Sequence, residues 1–126
     1  MYDKDSKKTC NQKIIHFKFT NKILIDDFNN YKNDLLNELH KRERFFAIND
    51  IRKIESIEVY YIKYLLDINE IFTNENKRYV GCTILLTNKS SEDIYNILMK
   101  FSGTDVPYFV TTSLEEAIKF ILERNK

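Results

Sequence analysis

Glycine is almost missing from this chain. Gly81 and Gly103 are the only two among 126 residues, and they are joined by one proline, Pro107, and no tryptophan. A phosphate-cradling loop needs several glycines, because backbone amides approach an anion closely only where no Cβ intervenes. Neither glycine lies in a Gly-rich strand-to-helix junction, so both common nucleotide-binding loops are excluded. Cysteine is equally scarce. Cys10 falls in a polar stretch and Cys82 in an apolar run, without the paired spacing of a metal or redox site. Two histidines, His16 and His40, do not fill a zinc shell, so no metal and no cofactor are expected. A net charge of +1 provides no global field for phosphate backbones or anionic lipids, and nucleic acid is not an expected partner. No apolar run approaches the roughly 20 residues that span a bilayer. The first eleven residues are polar rather than signal-like, and thiols outside a disulfide pattern suit the reducing cytosol. A cytoplasmic protein without a membrane span is the expectation.

What the chain does have is the material of one domain. Its length suits a single core, and 43% hydrophobic residues with nine Phe and eight Tyr argue against disorder. Asn, Lys, Ile and Tyr make up roughly two residues in five, which fits an AT-rich coding sequence.

The periodicity predicts a flexible, polar N-terminal tail over residues 1–12 and one α/β domain over 13–126. Ile15, Phe17 and Phe19 alternate with His16 and Lys18 as in a half-buried strand. Thr20-Asn21 reads as a hairpin turn, with Lys22 to Ile25 as the returning strand. Asp26 is placed to cap a helix whose inner stripe is Phe28, Tyr31, Leu35, Leu36 and Leu39. Phe45 to Ile51 is apolar on both faces and reads as a central parallel strand. A helix over about 59–72, a strand over 79–87, a helix from Ser91 to Phe101 and a strand opened by Pro107 follow. Ser113-Leu114-Glu115-Glu116 is a capping box for the last helix, whose inner stripe is Ala117, Ile118, Ile121 and Leu122. The sum is a mixed sheet of about five strands, an N-terminal hairpin then parallel strands, with about four helices.

No catalytic residue is identified. His16 lies on the polar side of a strand and His40 near a helix end, while the Asp26-Asp27 pair is explained by capping and the helix dipole. Asp50 is the one carboxylate at the end of a central strand, too few for an acidic pocket. The unusual element is the helix over 59–72. Val59, Ile62, Leu65, Leu66 and Phe72 supply its core face, yet Tyr60, Tyr64, Ile68 and Ile71, flanked by Tyr61, form a second apolar stripe. Either a neighbouring helix covers that stripe within the domain or a partner does; tyrosine-rich stripes recur at interfaces because a large ring is buried with few rotors to freeze.

Residues 13–124 resemble the STAS domain, the fold of anti-sigma-factor antagonists and of sulfate-transporter tails, in particular its divergent stand-alone members. The resemblance rests on Phe45-Phe46-Ala47-Ile48-Asn49-Asp50-Ile51-Arg52 and on Phe109-Val110-Thr111-Thr112-Ser113-Leu114-Glu115-Glu116-Ala117. It implies that the helix after the central strand faces a partner. Regulated members carry a phosphorylated Asp-Ser pair and a Gly at that helix start; here Glu55-Ser56-Ile57 stands in the region, without the Gly, which leaves Ser56 as the candidate phosphosite. The expected role is therefore a non-enzymatic interaction or regulatory module that binds a protein partner or itself. The alternatives are a carrier of a small apolar or lipid ligand, and a structural component of a larger assembly. Similar stand-alone proteins occur in large DNA viruses, which agrees with the composition; a viral protein would then act in the host cytoplasm.

Overall fold

The structure is a computed structural model and describes residues 1–56, 79–88 and 106–124. Five strands form one sheet in the order β1-β2-β3-β4-β5. They are β1 (Tyr2–Thr9), β2 (Gln12–Lys22), β3 (Phe45–Ser56), β4 (Val80–Leu86) and β5 (Tyr108–Thr111). The first pair is antiparallel and the other three are parallel. Helix α1 (Ile25–His40) links β2 to β3, and α2 (Leu114–Arg124) follows β5. The mixed α/β sheet is as the sequence predicts. Two helices stand among the described residues where about four are expected; the stretches 59–72 and 91–101 lie outside them.

The hairpin is displaced from its expected position. Residues 1–12 are no loose tail: β1 pairs along its whole length with β2, from Tyr2 opposite Phe19 to Thr9 opposite Gln12. The turn is Cys10-Asn11, both at positive φ (52° and 66°), the geometry of a tight hairpin turn. β2 then runs straight through Thr20-Asn21 to Lys22. The apolar alternation that marks strands is missing from β1 because it is an edge strand exposed along most of its length, where charges such as Asp3, Lys4 and Asp5 guard against edge-to-edge pairing.

β3 lies at the centre of the sheet, which is why Phe45, Phe46, Ala47 and Ile48 are all buried. Alternate residues feed two cores. Ile15, Phe17, Phe19, Phe45 and Ala47 pack with Phe28, Tyr31, Leu35 and Leu39 under α1. Ile14, Phe46, Ile48, Cys82, Ile84 and Leu86 pack with Ala117 and Ile121 under α2. Gly81 has a definite reason for being glycine: a Cβ there would overlap the Phe46 ring.

The helix starts differ in detail from expectation. α1 begins at Ile25, and the carboxylate of Asp27, not Asp26, accepts from the Leu24 amide at 2.8 Å. At α2 only half of the capping box forms, the Glu116 amide donating to Ser113 Oγ at 3.3 Å. The Glu116 carboxylate instead accepts from Thr111 Oγ1 at 2.8 Å, tying the helix start to the end of β5.

Candidate functional site

The carboxyl ends of parallel strands are where ligands of open α/β sheets usually bind. Here that end carries a row of register partners, Lys18, Asp50, Leu86 and Thr111, one from each of β2 to β5. Partners opposite one another share a face. Leu86 belongs to the core under α2, so the row lies on that face.

Asp50 is the hub of the row and only 2% exposed. Its carboxylate accepts from His16 Nε2 at 2.9 Å, from Arg52 Nε at 3.0 Å and Nη2 at 2.9 Å, and from the Arg52 backbone amide at 3.1 Å. The last bond explains the site. Lys18 opposes Asp50, but two residues later Thr20 opposes Lys53, so β3 carries one extra residue there. Such a bulge interrupts the ladder, and Asp50 Oδ1 supplies an acceptor for the amide. Burial alone would raise the Asp50 carboxyl, but the bonds from His16 and Arg52 outweigh it and hold the group well below the usual carboxylate range. With Asp50 ionised, His16 Nε2 is the donor. The carboxylate is fully occupied by these four bonds, which makes it a positioning group rather than a free base or ligand. Beside it, Lys18, Lys22 and Lys53 have no anionic partner among the described residues.

On the α1 face lies a second buried carboxylate, Glu38, also 2% exposed. Lys13 reaches it at 2.8 Å, Lys41 at 3.0 Å and Lys4 at 3.3 Å, clamping the end of α1 to the hairpin. Burial pushes the Glu38 carboxyl up, but the three ammonium groups more than compensate and bring it down to about 2. Neither Glu38 nor Arg52 was an expected functional position. The available signal was an acid within the inner stripe of α1, between Leu35 and Leu39.

Of the residues singled out from the sequence, His16 and Asp50 are brought together, and His40 is exposed at the end of α1. Ser56 is not at a helix entry; it closes β3, opposite Lys22. Tyr60, Tyr61, Tyr64, Ile68 and Ile71 lie outside the described residues. Cys10 is exposed and Cys82 buried, both free, with burial pushing the Cys82 thiol up to about 11. Among the described residues no group of three metal-ligating side chains occurs and no helix is long and apolar enough to cross a membrane. An open cleft of about 710 Å³ separates the Cys10 turn from α2, its apolar Ile118 and Leu122 mixed with Glu115, Lys119 and Glu123. That lining is too charged for an apolar carrier cavity.

No family model matches the chain, and no curated protein does. It is similar to the crystal structure of an uncharacterized protein of the DUF3478 family with a SpoIIAA-like fold, from Shewanella loihica PV-4. The TM-score is 0.74 at 12% identity, over 95% of this chain and 93% of that one. At that identity the likeness establishes the fold. The chain is a divergent STAS-like domain, since the SpoIIAA-like fold is the STAS fold.

Proposed function

We propose that this chain is a non-enzymatic interaction module that binds a protein partner, or a second copy of itself, through the segment following β3. The observation that carries the reading is the reach of β3. It continues to Ser56, six residues past the Asp50–Leu86 pairing that ends its ladder with β4, and so delivers the next segment beyond the carboxyl end of the sheet. That segment holds Tyr60, Tyr61, Tyr64, Ile68 and Ile71, an apolar stripe additional to the one a core requires. The polar groups at the same end support the reading, because Asp50, Arg52 and His16 bond to one another and to the bulge.

The test is Tyr64→Asp in the full chain. Assembly, read by sedimentation or by retention of the partner, is expected to weaken while circular dichroism stays unchanged. Unfolding of the variant would instead assign Tyr64 to the core and remove the interface. Ser56, at the end of β3, is the proposed modification site, checked by the mass of its peptide from the native source. A stoichiometric apolar passenger in native mass spectrometry would favour the carrier reading.

A further inference from the structure

The lysines of this protein fall into two sets. Lys4, Lys13 and Lys41 are neutralised by Glu38, and Lys13 also reaches Glu43 at 3.4 Å. At the opposite end of the hairpin Lys18, Lys22 and Lys53 have no anion among the described residues. Lys18 opposes Asp50, and Lys53 opposes Thr20, which alternates onto the same face as Lys18. Asp50 does not cancel them, since its oxygens are taken by His16 and Arg52. Asp27, the acid of the α1 start facing this end, is spent on the Leu24 amide. Immediately after Lys22 stand two of the large apolar side chains that the described surface exposes, Leu24 at 53% and Ile25 at 45%. Uncompensated cations and uncovered apolar groups thus meet at one place.

From this juxtaposition we infer that the Lys18, Lys22 and Lys53 surface, with Leu24 and Ile25 beside it, is the docking site for an extended acidic segment of a protein partner. The inference rests on the interaction-module reading and adds the chemistry of the partner. Lys18 and Lys22 are four strand residues apart, about 13 Å, which matches alternate carboxylates about 7 Å apart along an extended peptide. Three cations are few against the roughly six to ten phosphates that hold a nucleic-acid binder, and the net charge of +1 adds no wider field. The neighbouring apolar pair suits a peptide side chain better than a phosphate backbone.

The experiment uses the full chain and a fluorescein-labelled peptide of ten glutamates ending in two leucines, followed by anisotropy and by amide chemical shifts. Shifts at residues 18–25 and 51–54 are expected, and the double variant Lys18→Glu, Lys53→Glu should bind about tenfold more weakly. A Lys7→Glu, Lys8→Glu control at the hairpin tip should bind as the parent does. Equal losses in both variants, or shifts elsewhere, would overturn the proposal, as would tighter binding of a ten-nucleotide oligothymidylate. Should the double variant misfold, the shifts of the parent chain decide alone. If the native partner is retained by the double variant but lost with Tyr64→Asp, this docking site fails while the interaction module stands.

Discussion

Glu38 and Asp50 are equally buried, at 2% exposure each, yet they organise opposite kinds of surroundings. Glu38 gathers ammonium groups from β1, β2 and the end of α1, three flexible side chains that each give up some freedom to reach it. Asp50 gathers a backbone amide, a guanidinium held from two sides and an imidazole, all within two adjacent strands. The first closes a charge network around one helix end. The second fixes an irregularity of the chain and leaves the neighbouring lysines uncompensated. A buried carboxylate ringed by cations is therefore no sign of function in itself; what matters is whether charge remains after it has been satisfied.

The comparison breaks most readily at the bulge. Asp50→Ala strands the Arg52 amide and a partly buried guanidinium together, and should cost about 4 kcal/mol in urea unfolding, within the range for breaking a buried pair. Glu38→Ala should cost less, about 2 kcal/mol, because the released lysines swing into water and recover hydration. A larger cost at Glu38 than at Asp50 would reverse the assignment of the two sites.

Acid sharpens the same contrast. Both carboxyls are depressed in the folded chain, so their contribution is complete above the unfolded-state value and is lost as pH falls towards the folded one. For Glu38 that window runs from 4.5 down to about 2. Stability measured across it should decline steeply in the parent chain and more gently in Glu38→Gln, whereas an unchanged slope would show that Glu38 is not paired as described.

The smallest effects fall on the lysines themselves. Lys13→Glu places a second anion against Glu38 and should cost about 1.5 kcal/mol. Lys18→Glu and Lys53→Glu break no ion pair and should each change stability by less than about 0.5 kcal/mol. A marked loss at either would mean that those cations serve the fold and are not free for a partner.

Much of the fold was legible in the sequence, and the exceptions share a cause. Phe45 to Ile48 predicted the central strand because burial on both faces leaves a continuous apolar run. β1 left no such trace, since an edge strand with one packed residue in Tyr2 looks like any polar tail. The Cys10-Asn11 turn escaped notice because it uses positive φ without glycine. At the candidate site, Asp50 was visible as a lone acid at a strand end, but its partners were not. Arg52 is called there by a bulge, and a register shift has no signature in hydrophobic alternation. The tyrosine stripe from Tyr60 to Ile71 was read from helical spacing alone and lies beyond the described residues.

The central claim is that a protein partner, or a second copy, docks at the end of the sheet where β3 runs on. Its most direct test is purification of the tagged full chain from its native source, with hydrogen exchange measured on the complex and on the chain alone. The account predicts about one partner per chain and protection concentrated in residues 51–72 and 18–25. A monomer that co-purifies with nothing, or a complex protected only along β1 and α2, would contradict it.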